Sequence, residues 1–253
     1  MKDTILVTGA TSGFGRAIAE KYAKNGYQVI INGRRVERLH ELKKELENRY
    51  DAVVYELPFD VRNRKAVFAA IDSLPENWKN IDILVNNAGL ALGTEGFQDC
   101  DIEDWETMID TNVKGMLYVS RAVIPVMMKN KHGHIVNIGS TAGIDTYPGG
   151  NVYCATKRAV HAISDGTRMD LVKYGIKVTE ICPGMAETEF SIVRYKGDKN
   201  KADNVYNGVK PLVAEDIAEI TYFATSALAQ HVEIRSLVVS PQQQAGTFVI
   251  DRH

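Results

Sequence analysis

The chain has 253 residues, 45% hydrophobic and 25% charged, ordinary values for a soluble globular protein. A formal net charge of −2 argues against a nucleic-acid partner, and no apolar run approaches the roughly 18 to 20 residues that span a bilayer. Cys100, Cys154 and Cys182 are odd in number and widely spaced, which supports neither a disulfide framework nor a metal site; each is expected to pack as a small hydrophobe. The length admits one large α/β domain or two small ones, and with no Pro/Ser-rich linker a single domain over 1–253 is expected. The first residues, Met1 to Ile5, pass straight into a strand without a signal-peptide apolar region, so the expected location is cytoplasmic.

Thr4 to Thr8 reads as a strand, Gly9-Ala-Thr11-Ser12-Gly13-Phe14-Gly15 as a glycine-rich turn, and the residues from Arg16 as a helix. Strand, glycine turn and helix in that order suit a phosphate loop: glycine lets the backbone approach a pyrophosphate, and the helix N-terminus offers unpaired N–H groups and a positive dipole end. The spacing is Gly-x-x-x-Gly-x-Gly rather than Gly-x-Gly-x-x-Gly, and a tight turn that binds nothing is the alternative. A second strand, Gln28 to Asn32, ends in Gly33-Arg34-Arg35 where a dinucleotide unit reads the adenosine ribose. An acidic residue there favours NAD; here two arginines stand instead, with Arg16 and Arg38 expected nearby, and guanidinium groups suit the 2′-phosphate of NADP. The alternative is that Arg34 and Arg35 only begin the solvated helix from Val36 to Arg49.

Ala52 to Leu57 is the third strand, followed by Asp60 and Val61, where Asp60 is a candidate acceptor for the adenine amino group or a helix cap. After a helix over Asn63–Leu74, a fourth strand, Ile81 to Val85, runs into Asn86-Asn87-Ala88-Gly89. Small residues there let a ligand lie on the backbone, and the asparagines can tie strand ends together. Asp101 to Tyr118 reads as a helix with Asn112 inside it, an unfavourable place for asparagine without a reason. The fifth strand, His134 to Gly139, leads to Ser140, then Tyr147, the loop Pro148-Gly149-Gly150, a helix capped at Asn151, and Tyr153 and Lys157 one turn apart on one helix face. A hydroxyl, a phenol and an ammonium thus converge at the carboxyl end of a sheet, where open α/β proteins bind ligands. The sixth strand, Ile176 to Ile181, is followed by Pro183-Gly184. The polar segment 185–210 is expected to be a substrate lid with short helices, and it holds Thr188 and Arg194. A helix over Ala214–Ser226, a strand over Arg235–Ser240 and a tail with apolar Phe248-Val249-Ile250 complete the chain, the tail being expected against a partner subunit. Seven strands alternating with helices imply a doubly wound parallel sheet.

Thr8-Gly9-x-x-x-Gly13-x-Gly15, Asp60-Val61, Asn86-Asn87-Ala88-Gly89, Asn112, Ser140, Tyr153-x-x-x-Lys157 and Pro183-Gly184, in this order across nearly the whole chain, resemble the short-chain dehydrogenases/reductases. The resemblance implies a Rossmann-type sheet, a homotetramer or homodimer, and a catalytic tetrad of Asn112, Ser140, Tyr153 and Lys157. It implies cofactor contacts along Gly9 to Gly15, Arg34, Arg35, Arg38, Asp60, Val61, Asn87 to Gly89, Tyr153, Lys157, Pro183, Gly184 and Thr188. Stretches such as Asp104-Trp-Glu-Thr-Met-Ile-Asp-Thr-Asn112 and Glu189-Phe-Ser-Ile-Val-Arg194 are similar to the subgroup of NADP-dependent 3-hydroxy acid dehydrogenases, which also oxidise L-allo-threonine and serine; sulfoacetaldehyde reductases look similar too. The implied reaction is reversible hydride transfer. Tyr153 gives or takes the proton, Ser140 holds the oxygen, Lys157 favours the phenolate and bonds the nicotinamide ribose, and Asn112 holds a water beside Lys157. The substrate is expected to be anionic, with Arg194 as its partner and Tyr147 lining the pocket. Rival readings are a catalytically silent NADPH sensor and an enzyme of sugars, steroids or acyl thioesters.

Overall fold

Short apolar runs without helical spacing become strands buried on both faces, as a parallel sheet requires. The computed structural model describes residues 3–253, and Met1 and Lys2 lie outside them. In chain order the elements are β1 (Thr4–Val7), α1 (Gly13–Lys24), β2 (Gln28–Gly33), α2 (Val36–Tyr50), β3 (Val53–Pro58), α3 (Arg64–Asp72), β4 (Ile83–Asn86), α4 (Ile102–Ile109), α5 (Met116–Asn130), β5 (Gly133–Ile138), α6 (Asn151–Leu171), β6 (Ile176–Pro183), α7 (Glu189–Arg194), α8 (Lys199–Asn204), α9 (Ala214–Ser226) and β7 (Ser236–Val239). The strands form one seven-stranded sheet, β3-β2-β1-β4-β5-β6-β7, with every neighbouring pair parallel. Alternate residues feed the two layers. Ile5 and Val7 of β1 pack with Ile18, Leu39 and Ile217 on one side, and Leu6 between them packs with Val67, Val119 and Met127 on the other.

The strand order reverses between β1 and β4, and the connections there leave for opposite sides. The carboxyl ends of these two strands therefore border a crevice, the usual ligand position in such sheets. One buried hydroxyl sets its floor. Thr8 Oγ1 donates to Val85 O (3.2 Å) and accepts from the backbone N–H of Asn87 (3.0 Å) and Ala88 (3.0 Å). Asn87 Nδ2 returns a bond to Thr8 O (2.9 Å). Asn86 Nδ2 donates to Asn137 Oδ1 (2.9 Å) on β5 and to Ser120 Oγ (2.9 Å) on α5. Both asparagines thus tie strand ends, as expected of the pair.

The structure departs from the expected elements in two places. The helix expected over Asp101–Tyr118 is α4, then a π-helical turn over Asp110–Gly115, then α5. The extra residue in that turn rotates Asn112 inward, which is the missing reason for an asparagine there. Asn151 is not the cap of α6 but its first residue. Gly150 holds the cap position, where a side chain would run into the Tyr147 ring. The tail also holds its own chain: Gln243 accepts from Lys210 N (2.8 Å) and donates to Gly208 O (3.1 Å), and Gln244 Oε1 accepts from Met185 N (2.8 Å), while Phe248 and Val249 stay exposed. Its glutamines satisfy loop backbone groups that no ladder reaches.

Replacing Thr8 by valine leaves the Ala88 N–H without its partner and the Asn87 N–H with Val85 O alone, and an unmade bond costs about 1 to 3 kcal/mol. Thr8→Val should lose about 2 kcal/mol or more in urea denaturation, whereas Thr8→Ser keeps the hydroxyl and most of the stability. Equal losses in the two variants would assign the effect to the methyl group instead.

Candidate active site

The glycine loop is shaped for close approach. Gly9 (φ 66°) and Gly13 (φ 50°) lie in the left-handed region, and a side chain on Gly15 would sit 2.4 Å from Gly9 O. Ser12 holds the cap position of α1 yet makes no side-chain capping bond, so the first-turn N–H groups are left for an anionic ligand. Arg35 lies across the loop, its Nη2 donating to Thr11 Oγ1 (2.9 Å) and Ser12 Oγ (3.2 Å). Arg38, one turn into α2, pairs with Glu189 (3.0 Å), and Arg34 lies 3.8 Å from Asp60. Arg16 does not join them; it pairs with Glu45 on α2. The Asp60 carboxylate is forked by Arg62, through Nε at 3.1 and 3.0 Å and Nη2 at 2.7 Å. Burial opposes its ionisation, but the Arg62 bonds win and hold it below the usual carboxylate range. Val61 and Phe14 line the same cleft beside Asp60 and the loop.

The cleft opens into a cavity of about 810 Å³ that reaches Ser140, Tyr153 and Lys157. These residues sit together because β5 ends at Ile138 and α6 folds back over that end. Lys157 Nζ donates to Ile138 O (2.8 Å), and its position lies 5.9 Å from the Tyr153 ring centre. Both residues are buried, Tyr153 at 8% and Lys157 at 6% exposure. Burial brings the Lys157 ammonium down to about 8, although the Cys182 and Glu180 side chains favour its charge. Burial pushes the Tyr153 phenol above its ordinary range, with the Ser140 hydroxyl and the Arg194 guanidinium pulling the other way. Desolvation is the largest influence on this phenol, and it favours the protonated form that a proton donor needs. Ser140 Oγ also accepts from Ala142 N (3.1 Å), which fixes its rotamer.

Asn112 closes the back of this group. Its Oδ1 accepts from Leu90 N (2.8 Å), and its Nδ2 donates to Leu90 O (2.8 Å) and Thr156 Oγ1 (3.0 Å). With both amide N–H groups engaged, the side chain is a clamp between the β4 exit and α6. A side chain on Gly89 would intrude here, 3.2 Å from Asn112 Oδ1 and 3.6 Å from Lys157 Nζ. Ala88, Pro183 and Gly184 supply the small wall opposite, and Thr188 caps α7 by accepting from Phe190 N (3.2 Å) while packing on Gly13.

Helix α7 brings Arg194 over the cavity. Its Nη1 donates to Tyr147 Oη (2.9 Å) and its Nε to Gly93 O (3.3 Å), and the guanidinium lies 5.8 Å from the Tyr153 ring centre. A guanidinium has five N–H donors, so some remain for a ligand. Several residues that shape the site were not singled out from sequence. Arg62 clamps Asp60, Phe190 stacks 5.7 Å from Tyr153, Glu189 engages the loop-side arginines, and Gln244 and Thr247 of the tail line the cavity. For the tail residues no local signal exists, since about 60 positions separate them from the segment they cover. Among the described residues no group of His, Cys, Asp and Glu is placed to hold a metal ion, and no helix is long and apolar enough to cross a membrane.

The sequence model described as short chain dehydrogenase matches residues 3–199. The NADP-dependent 3-hydroxy acid dehydrogenase YdfG of Escherichia coli strain K12 is 50% identical, over 95% of this chain and 96% of that protein. Sulfoacetaldehyde reductase 2 of Chromohalobacter salexigens is 48% identical over 100% of both. Among solved structures, the closed form of serine dehydrogenase complexed with NADP+ superimposes with a TM-score of 0.93 at 48% identity, covering 99% of each chain.

Burying Lys157 has a pH-dependent cost. Unfolded, the group titrates near 10.5; folded, near 8. Below pH 8 both states are charged and the folded state carries the whole desolvation cost, which fades as pH rises through 10.5. Lys157→Met is expected to raise stability at pH 7 by about 1 to 2 kcal/mol after the lost bond to Ile138 O is counted, with the gain shrinking by pH 10. Thermal melts across that range check it; a variant less stable than the parent at pH 7 would contradict it.

Proposed function

The chain belongs to the short-chain dehydrogenase family and is an NADP-dependent oxidoreductase acting on CH–OH groups, and we propose that Asn112, Ser140, Tyr153 and Lys157 carry out that reaction on a short, anionic hydroxy acid. The observation that carries this reading is the convergence of Ser140, Tyr153, Lys157 and Arg194 on one cavity at the reversal of strand order. NADP(H), when bound, supplies or accepts the hydride. Gly9, Thr11, Ser12, Gly13, Phe14 and Gly15 cradle its pyrophosphate, and Arg34, Arg35 and Arg38 take the 2′-phosphate. Asp60 and Val61 meet the adenine; Asn87, Ala88, Gly89, Pro183, Gly184 and Thr188 border the nicotinamide end. The Tyr153 phenol donates its proton to the substrate oxygen in reduction and recovers it in oxidation. Ser140 holds that oxygen by a hydrogen bond, and the Lys157 ammonium, with donors left over after Ile138 O, orients the nicotinamide ribose. Both Asn112 amide N–H groups are spent on Leu90 and Thr156, so a water serving Lys157 would donate to an Asn112 oxygen rather than accept from its amide.

Segment 185–210 is the lid in this reading. Arg194, steadied by Tyr147 and Gly93 O, places a fixed cation over the phenol, which suits a carboxylate or sulfonate beside the reacting carbon. 3-Hydroxy acids, serine and L-allo-threonine fit this arrangement. Sulfoacetaldehyde is the second reading, favoured by the full-length likeness to sulfoacetaldehyde reductase 2. A silent NADPH sensor is disfavoured, because it would not need a phenol, hydroxyl and ammonium assembled beside an arginine. An oligomer, a homotetramer or homodimer, and a cytoplasmic location belong to the same reading; Phe223 on α9 and Val238 on edge strand β7 are exposed apolar residues that support the first.

Turnover with serine, 3-hydroxypropionate, malonic semialdehyde and sulfoacetaldehyde, each with both nicotinamide cofactors, tests the assignment. Tyr153→Phe should lower kcat by about 10² to 10⁴ while NADPH binding persists. A Tyr153→Phe enzyme with unchanged kcat would remove Tyr153 from the chemistry. For Arg194→Ala, KM should rise about tenfold or more for acids and sulfonates but little for a neutral aldehyde of the same length. An unchanged KM for every anionic substrate would sink the anion assignment.

A further inference from the structure

Helix α7 carries charge at both ends. Arg194, its last residue, faces the substrate side, and Glu189, its first, faces the cofactor side. Glu189 Oε1 lies 3.0 Å from Arg38 Nη1, and Oε2 lies 3.2 Å from the same atom and 3.4 Å from Arg35 Nη1. The same Arg35 reaches Thr11 and Ser12 through its other terminal nitrogen. Thr188, just before Glu189, faces Gly13 of the glycine loop so closely that a side chain on Gly13 would lie 3.3 Å from the Thr188 Cβ. The lid is therefore tied to the nucleotide end of the cleft by one carboxylate that uses two of the three guanidinium groups assigned to the 2′-phosphate, those of Arg35 and Arg38.

We propose that Glu189 is an internal competitor for the 2′-phosphate: NADP(H) must displace it from Arg35 and Arg38, whereas a cofactor without that phosphate leaves the pairs intact. The inference rests on the assignment of Arg35 and Arg38 above. One guanidinium pair cannot make full charge-assisted bonds to two anions at one place, and a carboxylate left beside a phosphate repels it. Displacing Glu189 also releases the start of α7 from α2, while the Arg194 and tail contacts of the lid stay in place. Competition of this kind weakens NADP(H) binding and speeds release without touching the reacting atoms. The pairs are solvent-exposed, so the effect is modest.

Isothermal titration calorimetry of the full chain with NADP+ and NAD+ tests it without turnover. Glu189→Gln should lower the NADP+ Kd by about two- to tenfold and leave the NAD+ Kd within about twofold. Glu187→Gln, which removes the same charge two residues away and outside these pairs, should leave both unchanged. In an Arg35→Ala/Arg38→Ala background the Glu189→Gln effect should vanish. An NADP+ Kd that stays level or rises in Glu189→Gln, a matching gain for NAD+, or an equal effect of Glu187→Gln overturns the proposal. If Arg35→Ala/Arg38→Ala leaves the preference for NADP+ intact, the 2′-phosphate assignment fails; if that preference drops while Glu189→Gln is silent, only the competition fails.

Discussion

The crevice on which everything else depends is held to width by the Thr8 hydroxyl. The chain leaves β1 toward one side of the sheet and β4 toward the other, so their register ends at Val7 and Val85, with one further backbone bond from Thr8 N–H to Val85 O (3.0 Å). Thr8 Oγ1 bridges that gap with one bond to Val85 O and two from Asn87 and Ala88 N–H, continuing the ladder by a side chain where the backbones diverge. The glycine loop, resting on Asn87 through Gly9 and Gly15, inherits its position from this bridge. A loosened bridge would reach the loop directly, because a side chain on Gly15 already has no room against Gly9 O and Asn87 Nδ2.

On the other side of the crevice, burial sets the chemistry. Tyr153 and Lys157 share one face of α6 and point at the end of β5, where water is excluded. Removing water disfavours both charged forms, so the phenol is held protonated and the ammonium is brought toward neutral pH. The two groups are thereby moved apart in what they offer: a firm proton donor and an easily relieved cation. Ser140 and Arg194, the partners that favour phenolate, come from different parts of the chain, and Arg194 comes from the lid. The lid's position thus bears on the readiness of Tyr153 as well as on substrate binding.

The lid's anchors include Glu189 to the arginines of α2, Arg194 to Tyr147 and Gly93, Lys196 to Asp104 of α4, and the tail through Gln243, Gln244 and Arg252. Most of these contacts are polar and exposed, and exposed polar contacts are individually weak. A segment held this way can be released by competing for its bonds, whereas the sheet beneath, packed on both faces by aliphatic side chains, cannot.

The sequence by itself determined the elements and the chemistry. Apolar runs of four to six residues between helical patterns specify buried parallel strands, and Tyr153 and Lys157 at a spacing of four must share a helix face, because local geometry depends on near neighbours. The glycine loop, the absence of an acidic residue after β2 and the asparagine pair were legible for the same reason. Other features were decided only by tertiary structure. The π-helical turn that points Asn112 inward depends on Leu90 and Thr156 being there to receive it. The need for glycine at position 150 depends on the Tyr147 ring, and docking of the tail on loop groups left unpaired by the sheet. Arg16, Arg34, Arg35 and Arg38 look alike in sequence, yet Arg16 turns to Glu45, Arg34 to Asp60, and Arg35 and Arg38 to Glu189. A long charged side chain takes whichever partner the fold brings within reach, and that is fixed by contacts between residues up to about 150 positions apart, where no local pattern can report it.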